Sequence, residues 1–275
     1  MAIEVKNVSF HYAIGTPFEK KALYDISFSL EYGENLGILG PTGSGKSTLI
    51  QLLNGILLPT DGKVIIDGLD TRDKKNGPKI RELVGVVFQF PENQFFEDTV
   101  YDEIAFGARN LKLSKEEIHK RVLEAIRILD LPEDILSKSP FDLSGGEKRK
   151  VAIASILVRK PKYLVLDEPF AGMDYPGTKA LLKLFKSLHR KCSLIIVTHT
   201  LDDLLSLVDK VLFLEEGRIK AFGGIRELMS IENLKDYVPL IKFLIELNER
   251  GFSFSTNSFD LDSLEEEIIK NVLST

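Results

Sequence analysis

Residues Gly40-Pro-Thr-Gly-Ser-Gly45-Lys46-Ser47 constrain this chain more than any other eight. They fit G-x-x-x-x-G-K-[ST] and stand between a short apolar run ending in glycine, Leu36 to Gly40, and a segment of helical character from Ser47 to Leu53. In a strand, a loop and a helix in that order, glycines let the loop bend so that its backbone N–H groups point inward. The helix adds the positive end of its dipole. The product is an anion cradle, and phosphate is its expected guest. Lys46 is expected to bridge the β- and γ-phosphates of a nucleotide, and the Ser47 hydroxyl to ligate Mg²⁺.

Tyr163-Leu-Val-Leu-Asp167-Glu168 reads as an apolar strand delivering two carboxylates at its C-terminal end, where ligands bind on a parallel sheet. Strand side chains alternate, so the two acids point differently. Asp167 is expected on the Mg²⁺ side, and Glu168 is left to orient or deprotonate a water in line with the γ-phosphate. Leu143-Ser144-Gly145-Gly146-Glu147 holds a capping box for a helix starting near Glu147. A cap does not require two glycines; bare N–H groups beside a serine at a helix N-terminus make a second phosphate cradle.

Around these motifs the chain reads as α/β. Ile3 to Phe10 and Ala22 to Leu30 alternate apolar and polar residues like half-buried antiparallel strands. Val84 to Phe88, Tyr163 to Leu166 and Ser193 to Val197 are continuous apolar strands, implying a parallel sheet covered on both faces. A helix is expected near Thr178 to Leu188, and a hairpin at Val211 to Leu214 and Arg218 to Phe222. Residues of about 91 to 160 read as a mostly helical insertion, with a helix capped at Ser114 and Glu117. Gly223-Gly224 marks a boundary. Beyond it, Leu240, Phe243, Leu244 and Leu247, and a capping box at Ser263 and Glu266, predict two amphipathic helices, expected to serve dimerisation.

Composition narrows the function classes. Thirty-six Lys and Arg against 41 Asp and Glu give a net charge of −5, so there is no global basic field for a nucleic-acid backbone. Cys192 is the single cysteine, which excludes an intrachain disulfide and a cysteine-cluster metal site. Met1 to Lys6 does not read as a signal peptide, and no apolar run reaches the roughly 18 residues of a membrane span. A membrane role is therefore expected to need a partner.

Together the motifs resemble the nucleotide-binding subunit of ATP-binding-cassette (ABC) transporters, over about residues 1 to 222. The resemblance implies a P-loop NTPase core with an antiparallel β-subdomain, a helical insertion and a small C-terminal extension, residues 223 to 275. It also implies two composite ATP sites in a head-to-tail dimer, each closed by the signature loop of the opposite subunit. It assigns Gly40, Pro41, Thr42, Gly43, Ser44, Gly45, Lys46, Ser47 and Thr48 to nucleotide binding, with Ser144, Gly145 and Gly146 acting across the dimer. It further implies that Tyr12 stacks on adenine, that Gln89 touches Mg²⁺ and water, that His199 contacts the γ-phosphate, and that Asp174 lies in the loop crossing the interface. Glu147, Phe170 and Tyr175 depart from residues frequent in the family.

A narrower block, Phe88 to Phe96, looks like the energy-coupling-factor (ECF) importers and the related cobalt and nickel importers. That likeness implies an ATPase at the cytoplasmic face of the membrane, powering uptake of a vitamin or a transition-metal ion. Its partners would be a second ATPase subunit, identical or not, a transmembrane coupling protein and a substrate-binding membrane protein. Phe95 and Phe96 are expected to line the groove that takes the coupling protein. The alternative is a soluble ABC ATPase of chromosome maintenance or translation. Such chains carry a long coiled coil between the two motifs or two cassettes; here Lys46 and Ser144 are 98 positions apart and there is one cassette.

Overall fold

The computed structural model describes residues 3–109, 111–188, 191–199 and 207–224, with the single residues Leu204, Glu246, Arg250 and Ile269. In chain order its strands and α-helices are β1 (Ile3–Tyr12), β2 (Lys20–Leu30), β3 (Leu36–Leu39), α1 (Lys46–Leu53), β4 (Asp61–Ile66), β5 (Leu69–Asp70), α2 (Gly77–Leu83) and β6 (Val84–Val87). There follow α3 (Val100–Arg109), α4 (Lys115–Ile128), α5 (Gly145–Leu157), β7 (Tyr163–Asp167), α6 (Tyr175–Leu188), β8 (Ser193–Val197), β9 (Lys210–Glu215) and β10 (Arg218–Gly223).

The alternating segments form an antiparallel sheet in the order β2-β1-β4-β5, with Val5 opposite both Phe28 and Val64. Ile26, Phe28 and Leu30 are buried while Asp25, Ser27 and Ser29 are exposed, as a one-faced sheet requires. The continuous apolar strands form a second sheet, β10-β9-β3-β8-β7-β6, parallel from β9 through β6. Its two faces enter different cores. Tyr163 and Val165 of β7 pack with the antiparallel sheet and α1, and Leu164 and Leu166 pack with α3 to α6.

Asp61 to Leu83 supplies elements that the apolar periodicity does not reveal. An Asp67-Gly68 turn with both residues in the left-handed region (φ 47° and 84°) joins β4 to β5. Asp-Gly between apolar residues is the two-residue hairpin signal that marks it. Tyr163 donates its hydroxyl to Asp67 Oδ1 at 2.8 Å and Lys162 Nζ reaches Oδ2 at 2.6 Å, pinning this turn to the start of β7. α6 begins three residues before the expected Thr178, because Asp174 Oδ1 accepts the Gly177 N–H at 2.9 Å and Pro176 is tolerated in a first turn.

The region from Pro91 to Leu157 is helical: a 3₁₀ turn at Pro91–Gln94, then α3, α4 and α5. Among the described residues no helix is long and apolar enough to cross a membrane. The two helices expected after Gly224 fall outside the described residues.

Candidate active site

Parallel pairing brings the carboxyl ends of β3, β6, β7 and β8 to one edge. Leu166 lies beside Val87 and Asp167 beside Val197, so the residues after these strands meet there. An open cavity of about 450 Å³ occupies this edge, bordered by Tyr12, Lys46, Ser47, Gln89, Asp167, Glu168 and His199 among others.

The loop that opens the cavity is fixed by its surroundings. Gly40 has φ 149°, and a Cβ there would run into the Leu214 carbonyl oxygen. Gly45 has φ 105°, and its Cβ would stand 2.7 Å from Leu23 Cδ2 and 2.9 Å from the Ala22 oxygen. The Gly217 N–H also donates to the Ser44 oxygen at 3.0 Å. The loop is thus clamped between β2 and the β9–β10 hairpin, and glycine alone tolerates both conformation and contact.

Lys46 Nζ donates to the Gly40 and Pro41 oxygens at 2.7 and 2.9 Å. Burial lowers its pKa, opposed by the charges of Glu168 and Asp167. Ser47 Oγ donates to Asp167 Oδ2 at 3.4 Å. The Asp167 carboxyl is raised by burial first and by Glu168 second, with Ser47 and Lys46 acting against them. A hydroxyl and a carboxylate beside a phosphate cradle match the chemistry of Mg²⁺, which takes one or two protein oxygens and completes its shell with phosphate and water. Glu168 points elsewhere, its Oε2 lying 3.0 Å from His199 Nδ1. Glu168 is itself left-handed at φ 47°, with its N–H donated to the Val197 oxygen at 2.9 Å. Tyr12 Oη and Thr48 Oγ1 are 2.9 Å apart, and the ring edge-packs on Phe10, leaving Tyr12 38% exposed.

The cavity gathers Tyr12, Thr42, Gly43, Gly45, Lys46, Ser47, Thr48, Gln89, Asp167, Glu168 and His199. Gly40 and Pro41 lend carbonyls to Lys46 instead of lining it, and Ser44 is buried beneath the loop. Ser144, Gly145, Gly146 and Asp174 are not among its walls. Ser144 caps α5: it accepts the Glu147 N–H, and its hydroxyl and N–H both donate to Glu147 Oε2, at 2.6 and 2.9 Å. Of the departures, Phe170 packs against Phe185 at 5.8 Å and Tyr175 is exposed at the start of α6. Lys20 and Ala22 also border the cavity, brought there by β2; nothing local in the sequence marks them.

A second cavity, of about 540 Å³, lies between the 3₁₀ turn, α3 and α5. Phe95, Phe96, Phe106, Glu103, Arg81 and Arg159 border it. Both rings border it, as the sequence reading expects, but they are not equivalent. Phe95 is 9% exposed and belongs to the core, whereas Phe96 is 58% exposed and packs edge-on to Phe106 at 4.7 Å.

A phosphate loop at the carboxyl edge of a parallel sheet, facing a strand-end carboxylate, places the molecule in the class of phosphate-loop nucleoside triphosphatases. The family model for ABC transporters matches residues 23–171. The energy-coupling factor transporter ATP-binding protein EcfA2 of Caldanaerobacter subterraneus subsp. tengcongensis is 45% identical over 283 aligned positions, covering 100% of this chain and 99% of that protein. The chain belongs to the ABC transporter family, among its energy-coupling-factor ATP-binding proteins. Among solved structures, cbiO1 of Clostridium perfringens, part of the ABC transporter complex cbiONQ, superposes with a TM-score of 0.76 at 37% identity, covering 89% of this chain and 98% of that one. The ATP-binding cassette MJ0796, solved as a dimer in a post-hydrolysis state with ADP and Pi, superposes with a TM-score of 0.72 at 30% identity, over 82% of this chain and 99% of that one.

Proposed function

We propose that this chain hydrolyses ATP to drive an energy-coupling-factor importer of a vitamin or a transition-metal ion, working as one half of an ATPase dimer. The observation that carries this reading is the division of labour between the two strand-end acids: Asp167 faces Ser47, and Glu168 faces His199. Lys46 and the loop N–H groups hold the β- and γ-phosphates, and Tyr12 offers its open ring to adenine. Ser47, Asp167 and Gln89 would hold Mg²⁺, which when bound neutralises charge on the phosphate oxygens. Glu168 orients the attacking water and accepts its proton, while His199 fixes that carboxylate and reaches toward the γ-phosphate.

Ser144, Gly145 and Gly146 stand outside their own chain's cavity, and this supports their use on the nucleotide of an opposing subunit, with Asp174 in the loop between the sites. That subunit is a second copy or a related ATPase. The 540 Å³ cavity is our candidate dock for the transmembrane coupling protein, whose substrate-binding partner selects the cargo; on this reading the chain works peripherally, at the cytoplasmic face of the membrane.

Glu168→Gln tests the assignment. It keeps size and hydrogen bonding but removes the base, so hydrolysis should fall at least about 10²-fold while ATP binding persists and an ATP-stabilised dimer accumulates in sedimentation. Wild-type turnover in this variant overturns the role of Glu168.

A further inference from the structure

Arg149 stands five residues after Ser144, on the side of α5 that carries Ile153 into the core, and is only 7% exposed. Its Nη1 donates to the carbonyl oxygens of Pro169 at 2.6 Å and Ala171 at 2.9 Å. Those carbonyls belong to the turn that follows Glu168, which the Ala171 N–H closes onto the Glu168 oxygen at 3.2 Å. A left-handed, non-glycine residue such as Glu168 persists only where its surroundings over-determine it. A charged donor shared by two carbonyls, one buried and one half-buried, is a strong constraint of that kind. Arg149, Ile153, Leu166, Glu168 and Pro169 also border a crevice of about 10 Å³, room for one water at most, so little space separates the guanidinium from the turn.

We propose that Arg149 is a positioning residue: it locks the turn after Glu168, so that the water-activating carboxylate of each subunit is held by that subunit's own signature helix. This rests on the proposed roles of Glu168 and Ser144. One helix then carries both Ser144, which serves the opposing nucleotide, and the clamp on Glu168, which serves the chain's own. A shift of α5 on closing the opposing site reaches Glu168 through one side chain.

The test uses the assembled ATPase pair with the opposing subunit's water-activating carboxylate changed to Gln, so that only the site holding this chain's Glu168 turns over. Arg149→Gln in this chain should lower kcat about 10-fold or more, as misplacement of a reacting group does, with KM for ATP within about threefold of wild type. Arg149→Lys, which keeps one charged donor, should recover part of the rate. In the reverse pair, where this chain's Glu168 is Gln and its Ser144 completes the active site, Arg149→Gln should cost much less. A change in KM without one in kcat, or equal losses at the two sites, overturns the proposal. Should Arg149→Gln fail to fold, a wild-type kcat for Arg149→Lys overturns it as well. In the reverse pair, Ser144→Arg must stop turnover; if it does not, the two-subunit site is wrong, and the Arg149 result at Glu168 can still be read.

Discussion

Ser144 spends its hydroxyl hydrogen on Glu147, at 2.6 Å, and this single contact shapes what the signature end of α5 can offer a phosphate. The Ser144 hydroxyl, followed by its backbone N–H, holds the Glu147 carboxyl below the ordinary range, so the group stays anionic through neutral pH. An anion arriving at Ser144 must compete for that hydrogen and meets a like charge. Glu147→Gln keeps an oxygen that can accept the Ser144 N–H, so the cap survives, but the charge is gone. The ATP concentration for half-maximal hydrolysis should fall roughly 1.5- to 5-fold, the scale of one exposed charge interaction, and the gap from wild type should narrow with salt. ATPase titrations at two ionic strengths check this, and a higher ATP requirement in the variant counts against it. Strand alternation already separates Asp167 from Glu168 in the sequence; the structure adds their partners, Ser47 for the first and His199, just beyond β8, for the second.

At the scale of elements, the 3₁₀ turn and α3 divide two adjacent phenylalanines between core and surface. Phe95 is part of the apolar cluster built by α3, α4 and α5, so Phe95→Ala should cost about 3–5 kcal/mol and lower Tm visibly. Phe96 rests on Phe106 at the open cavity. Phe96→Ala should leave Tm and the ATPase activity of the isolated subunits near wild type and weaken capture by the transmembrane partner, read by co-purification. Normal capture sinks the groove assignment. An apolar pair in a loop has no period, so the sequence cannot say which ring is inside. Where a period exists it is informative: β2 alternates, β7 and β8 are unbroken, and both fold accordingly. β4, β5 and α2 were less legible because Lys63 interrupts one strand, β5 is two residues long, and Gly77-Pro78 opens the helix.

For the whole molecule, the site is proposed to be complete only in a pair. Lys46→Ala should weaken ATP binding to the isolated subunit, because the lysine borders its own cavity. Ser144→Arg should leave that binding nearly intact and stop hydrolysis in the pair. Equal losses of affinity in equilibrium binding would refute a shared site. The segment after Gly224, read from the sequence as two amphipathic helices, is proposed to hold the pair together without nucleotide. Ending the chain there should leave a folded ATPase core with a weaker dimer constant, and an unchanged constant would assign the segment to packing within the subunit.

Local pattern alone determined the α/β class and the order of strand, glycine loop and helix, because periodicity, capping and turn chemistry are properties of a few neighbouring residues. Its phosphate chemistry was legible for the same reason, since the cradle is built from consecutive N–H groups. Tertiary structure decided the rest. Only sheet pairing sets His199 against Glu168, 31 positions earlier, and only the packing of β1 near α1 brings Tyr12 to Thr48. Only the packing of α5 on the turn after β7 turns one of three consecutive basic residues, Lys148 to Lys150, into a clamp on Pro169 and Ala171. The loop glycines show both levels at once. The motif states that residues 40 and 45 are glycine, but the reason lies in Leu214 and Ala22, whose carbonyls leave no space for a side chain.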